Sequence, residues 1–201
     1  TGVLCAFLAF TINFSIRYTK NNFLGKLSSF LSIGYAIPGL ILAVGITRFL
    51  VFADRNIFSD LDFVITGSLI GLVLAYIIKS YALANSSIES GYERISNSID
   101  NSARLLGARG SILLGKIHFP LMKTSFLTAI LLVTSEVVKE LPATLILRPF
   151  NFDTLAVVTY TYAAEERMYQ AAMPSLAIVL IGIIPLIFLS KMIRSSRLTE
   201  T

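Results

Sequence analysis

Charge is scarce in this sequence. Asp, Glu, Lys and Arg make up 14% of its 201 residues, against about 25% in an ordinary soluble domain. What charge there is gathers between apolar runs, so the 55% of hydrophobic residues are not the core of a soluble domain, which needs a polar shell throughout. Cysteine and histidine are almost absent. The single cysteine, Cys5, lies in an apolar run and can form no intrachain disulfide. One Cys and one His do not make a structural zinc site, and neither a metal nor a cofactor is expected. His118 is the only histidine, and no pairing of a nucleophile with a base accompanies it, which argues against a membrane enzyme. Also missing is a Gly-rich phosphate loop ending in Gly-Lys-Ser or Gly-Lys-Thr, so the chain carries no ATPase site of its own.

What is present is a set of long oily runs, with a mean hydropathy of +0.75. Five can be marked: Gly2 to Ile16, about Phe30 to Phe52, about Leu61 to Leu83, about Leu121 to Leu147 with an interruption, and about Ala171 to Ile193. Each is longer and more continuous than the roughly ten alternating residues of a membrane strand. The fold class is therefore all-α, a polytopic transmembrane helix bundle. The first run would rise only about 22 Å as a helix, short of the roughly 30 Å hydrocarbon core. Because the chain opens at Thr1 inside that run, we read the start as a cut into a spanning helix.

A formal charge of +5 raises the question of nucleic acid, but in a membrane chain Lys and Arg accumulate in cytoplasmic loops, and no nucleic-acid partner is expected. With alternating helices, Arg17, Lys20, Lys26, Lys79, Arg94, Arg104, Arg109, Lys116, Lys123, Lys191, Arg194 and Arg197 fall on or beside one side. Arg48, Arg55, Arg148 and Arg167 fall on the other, with Lys139 left inside a span. The richer side is predicted to be cytoplasmic and to hold residues 85–120 and the C-terminus, in a multi-pass protein of the bacterial cytoplasmic (inner) membrane.

Two places bend this picture. Pro38 and Gly39 lie within the second run, where a missing N–H and a ring clash predict a kink or break. In the fourth, Glu136, Lys139 and Glu140 stand three and four residues apart, on one helical face. Ionisable groups at bilayer depth pair or face water, so these three form either an ion-pair network or part of a water-filled pathway. Pro142 follows and breaks the helix. The groups Tyr160, Tyr162, Glu165, Glu166 and Tyr169 lie together on the predicted outer side, and read best as a solvated helix end.

The polar middle, 85–120, is expected to hold a short amphipathic helix from Ile99 to Gly107. Ile99, Ala103 and Leu106 give it one apolar stripe, Asp100 suits its dipole near the start, and Gly107 is a natural stop. Pro120 is placed to open the next span. A helix of this kind fits a groove on another protein or a lipid surface.

The spacing of Asn101, Ser102 and Ala103, then Gly107, then Ile117, Phe119 and Pro120 resembles the cytoplasmic loop of binding-protein-dependent ABC importer permeases. That pattern reads Glu-Ala-Ala, three residues, Gly, nine residues, Ile, one residue, Leu-Pro. The chain departs from it at Asn101, Ser102 and Phe119. The run from Lys139, "KELPATLILRPFNFDTLA", resembles the C-terminal half of iron(III) importer permeases.

The resemblance implies a type-I ABC importer permease fold, with 1–201 as one transmembrane domain, the second half of a longer permease, and 85–120 as its cytoplasmic coupling loop. It implies two cytoplasmic ATPase subunits, an external substrate-binding protein and a second permease domain as partners. Asn101, Ser102, Ala103 and Arg104 would supply the ATPase contact, with Gly107 turning the chain after it. Arg104 and Arg109 serve equally as lipid headgroup contacts. Ferric iron is the leading cargo. Thiamine, sulfate and polyamine carriers share the architecture, and a secondary transporter or channel is the more distant alternative.

Overall fold

The computed structural model describes residues 1–58 and 64–198, with the backbone alone at 189 and 191–198. The described residues contain helices and no strand. Four helices are long and apolar enough to cross a membrane, five if one bent pair counts as a span. The bundle expected from the oily runs is what forms.

α1 (Gly2–Thr19) runs three residues beyond the predicted limit and stops at Lys20, which takes the left-handed conformation with φ 52°. α2 (Asn22–Ser32) starts on an Asn21 side chain that accepts from the Phe23 N–H, satisfying one of the donors a helix start leaves free. A 3₁₀ turn (Ile33–Ala36) follows, and then α3 (Gly39–Asn56). Asn22–Ala36 and Gly39–Asn56 are bent 116° apart at Pro38. The second oily run is thus two helices meeting at a break, as the proline chemistry predicts.

α4 (Leu69–Glu93) is capped by the Ser68 hydroxyl, which accepts from the Ile70 N–H. Its 25 residues correct the sequence expectation. Leu61, where the span was expected to start, lies outside the described residues; residues 64–68 are not helical, and the helix opens at Leu69 and carries on to Glu93, so that residues 85–93 are not loop. α5 (Asn97–Leu105) begins on Ser96 and ends before Gly107, whose φ is 84°.

The next helical run covers Gly110 to Val138: α6 (Gly110–Ile112), a π-helical stretch (Leu113–His118) and α7 (Phe119–Val138). Pro120 sits in the first turn of α7. A proline ring clashes with the carbonyl four residues back in a regular helix, and the wider π turn ahead of it accommodates that clash without ending the rod. α8 (Pro142–Leu147) follows a short break.

The stretch 150–170, left between the fourth and fifth oily runs, contains α9 (Leu155–Ala164), an apolar helix on a Thr154 cap. α10 (Met168–Leu198) keeps going through Pro174 and Pro185. The predicted outer cluster lies at the α9–α10 turn. There Glu166 has φ 59°, and Arg167 pairs with Glu165 at 3.2 Å and covers the Tyr162 ring.

Two buried cores lie along α4. The larger joins α1, the C-terminal half of α4, Ala103, Leu113 and α7, with Phe10 packed against Tyr92, Phe119 and Phe126. The smaller joins α3, the N-terminal half of α4 and α8. α2 is tied in by polar contacts: Ser28 hydrogen-bonds the Tyr81 hydroxyl at 3.0 Å and donates to the Asn85 carboxamide oxygen at 3.1 Å, which also accepts from Asn13 of α1 at 2.7 Å. At the end away from α5, Asp54 accepts from the N–H groups of Ile65 and Thr66, both at 2.9 Å.

Candidate functional site

α5 hangs beneath one end of the larger core. Only Asp100 and Ala103 of its nine residues are buried. The predicted stripe of Ile99, Ala103 and Leu106 is therefore not the packed face. Ile99 is exposed, and Leu105 and Leu106 are each 89% exposed, side by side at the end of the helix. A helix this short meets the bundle over about one turn, and the buried carboxylate of Asp100, in its first turn, fixes which face that is. Asn101, Ser102, Arg104 and Gly107 are exposed, as is Pro120, while Ile117 is half-buried. Arg104 lies over the Tyr18 ring, its guanidinium carbon 4.9 Å from the ring centre.

Gly107 has open space around its α-carbon but a positive φ of 84°. A side chain there would be strained by its backbone, because the left-handed region costs an L-residue about 1–2 kcal/mol. The Ala108 N–H reaches back to the Ala103 carbonyl at 3.0 Å, closing the turn. The expected stop at Gly107 is what the backbone shows.

Asp100 does more than complement the helix dipole. Its Oδ2 accepts from Arg17 Nε at 2.6 Å. The same guanidinium donates to the carbonyls of Tyr92 at 2.9 Å, in the last turn of α4, and of Ile95 at 2.7 Å, just past it. The second carboxylate oxygen stands 2.9 Å from His118 Nε2, at an angle that makes no hydrogen bond. His118 is wholly buried between Phe14 and Tyr92. Sequence reading missed this cluster because Arg17, Asp100 and His118 are far apart in the chain and each had a sufficient local explanation.

The intramembrane charges also divide differently from the expectation. Glu136 pairs with Lys139 at 2.9 Å, but Lys139 is 60% exposed there. Glu140 turns away from that face. It is buried and pairs at 2.5 Å with Lys79 of α4, placed in the sequence among the flanking charges. Lys79 is ten residues into α4, about 15 Å along its axis. The signal was available: Lys79 follows "LAYII" without a break and lies inside the marked run from Leu61 to Leu83, yet it counts among the charges beside the predicted cytoplasmic side. One Glu140 oxygen accepts from the Ala143 N–H, its carbonyl accepts from the Thr144 hydroxyl, and Thr144 shares a 2.6 Å hydrogen bond with Tyr76. A Cβ on Gly39 would lie 2.7 Å from Glu140 Oε1 and 3.1 Å from Lys79 Nζ. The pair thus sits at the seam of the two cores, beneath the Pro38 break.

An apolar helix bundle with a polar helix tethered under one end and a buried ion pair at the junction of its two cores has the helix lengths and composition of a multi-pass membrane protein. The chain is 26% identical over 158 residues, 78% of its own length, to the Fe(3+)-transport system permease protein FbpB 2 of Haemophilus influenzae, of which it covers 29%. It is 28% identical over 158 residues to the putative 2-aminoethylphosphonate transport system permease protein PhnV of Salmonella typhimurium, covering 79% of this chain and 57% of that one. The PhnV of Salmonella choleraesuis aligns with the same identity and coverage. The chain spans less than two thirds of each of these relatives. No family model matches it. The likeness to permeases read from the 101–120 loop and the Lys139 run is borne out by these relatives.

Proposed function

We propose that the chain is a transmembrane domain of an ABC importer, moving a cargo handed over by an external binding protein while partner subunits hydrolyse ATP. The observation that carries this reading is α5 itself: a helix beneath the bundle, held by Asp100 and Ala103, that presents Leu105 and Leu106 bare to solvent. Two adjacent leucines at 89% exposure on a polar helix are a helix-in-groove contact without its groove. Asn101, Ser102 and Arg104, also exposed, flank them as a polar rim. Ala103 supports the contact from behind. In this reading the α5 end is cytoplasmic, the protein lies in the inner membrane with its C-terminus on that same side, and residues 94–120 form the coupling loop. A second permease domain would complete the pathway.

For the cargo, ferric iron leads because of the Lys139 run and the iron permease relative. The aminoethylphosphonate permeases make an organophosphonate the other cargo to test. A translocating domain needs weak, passing contacts, so tight selection would reside in the external protein.

The test is a Leu105→Asp, Leu106→Asp variant, compared with wild type for membrane level, capture of the ATPase subunit, and uptake of ⁵⁵Fe(III) and of 2-aminoethylphosphonate. Neither leucine contributes to the core, so the bundle is expected to accumulate normally while ATPase capture and uptake fall at least about tenfold, the loss of roughly 1.4 kcal/mol of contact. Unchanged capture and uptake in the variant would refute the coupling role of α5. Wild-type uptake of the phosphonate alone would move the cargo assignment and leave the mechanism standing.

A further inference from the structure

We infer that Asp100 is the positioning residue through which displacement of α5 is passed to the bundle, with Arg17 as the group that receives it. The inference rests on the coupling function proposed above and assigns a path to it.

α5 has little else to hold it. Of its two buried residues, Ala103 offers a methyl group, and Arg104 reaches Tyr18 only at the exposed rim. Asp100 is different in kind. Its carboxylate meets Arg17 of α1 at 2.6 Å and stands 2.9 Å from His118, one residue before α7. Through the same guanidinium it is joined to the Tyr92 and Ile95 carbonyls at the end of α4. One carboxylate therefore touches or is one step from α1, α4 and α7, the three long helices of the larger core.

Charge-assisted hydrogen bonds to a planar guanidinium are short and directional, and a packed core shifts between discrete arrangements instead of deforming smoothly. A push on Leu105 and Leu106 would therefore reach the long helices as movement of Asp100 and Arg17. Without that link α5 would be held only by the single methyl group that Ala103 contributes to the larger core and by the Gly107 turn.

A purely stabilising ion pair makes a different prediction. Removing one charge from a buried pair destabilises, whereas removing both relieves the unpaired charge. If stability were the whole role, Arg17→Gln with Asp100→Asn would restore function along with the fold. As a relay, the double variant is expected to melt near wild type and to capture the ATPase, yet to lose transmission.

The readout is hydrogen–deuterium exchange of the assembled complex with and without a non-hydrolysable ATP analogue. In wild type the nucleotide is expected to change exchange in α5 and at the adjoining ends of α4 and α7. In the double variant, and in Asp100→Asn alone should the double fail to assemble, the change in α5 persists. That in α4 and α7 falls about fivefold or more, the low end of typical coupling. Asp100→Glu, which keeps the charge, is expected to retain it. A nucleotide effect that reaches α4 and α7 undiminished in the neutral variants, or that never passes α5 in wild type, overturns the inference. A wild-type protein that captures no ATPase overturns the proposed function instead.

Discussion

Replacing Lys79 with Met is expected to cost about 3–5 kcal/mol, because it leaves the Glu140 carboxylate buried without its cation. The two groups are 2.5 Å apart, with side chains 18% and 7% exposed. Glu140 keeps the Ala143 N–H as its hydrogen-bond donor, too little to replace an ammonium at bilayer depth. Thermal unfolding of the purified protein in detergent should show a large drop in midpoint. A Lys79→Met, Glu140→Gln double variant should regain most of it, since the charge needing a partner is gone. The internal control is Lys139→Met, which breaks only the solvent-screened pair with Glu136 and is expected to cost under about 1 kcal/mol. Equal midpoints for Lys79→Met and Lys139→Met would mean that the seam pair is not the buried bond described.

The second large effect is expected at Gly34. A Cβ there would stand 2.4 Å from the Ile78 carbonyl oxygen and 2.7 Å from Ile78 Cγ2. A backbone oxygen cannot swing aside as a flexible side-chain tip would, so Gly34→Ala must push the 3₁₀ turn off α4. Overpacking of this kind costs about 1–3 kcal/mol. The displacement would propagate to Gly39, just past the proline break that follows the turn, and so to the Lys79–Glu140 pair that Gly39 abuts. Gly34→Ala and Lys79→Met are therefore expected to combine less than additively, as neighbours sharing a contact do. A wild-type melting temperature for Gly34→Ala, or strict additivity with Lys79→Met, would show that the turn does not seat against the seam.

These two sites also mark where reading the sequence succeeded and where it could not. Pro38 announced a break by its own chemistry, and the break is there, 116° wide. Gly34 announced nothing, because a glycine in a helical run acquires its meaning only from what approaches it. Glu140 was recognised as a charge that had to be paired, but its spacing of one residue from Lys139 and four from Glu136 pointed to those neighbours. The chain turns between α7 and α8, which carries Glu140 off that face and toward Lys79.

Local and compositional features were decided by the sequence alone. The apolar runs demanded membrane helices, because only helices satisfy their own backbone in lipid without closing a barrel. The Pro38 break, the Gly107 stop of α5, and the permease likeness of the 101–120 loop are all properties of neighbouring residues, whereas the helix expected from Ile99 opens two residues earlier, at Asn97. The tertiary structure alone decided which charges meet. Arg17 with Asp100, and Lys79 with Glu140, are separated by 83 and 61 positions. Pairing in low dielectric is set by the packing that brings two helices together, and no spacing along one helix records it. The same holds for the exposed edge of α5: three apolar residues in register made a plausible stripe, but the buried carboxylate of Asp100 fixed the roll of the helix and turned Leu105 and Leu106 outward.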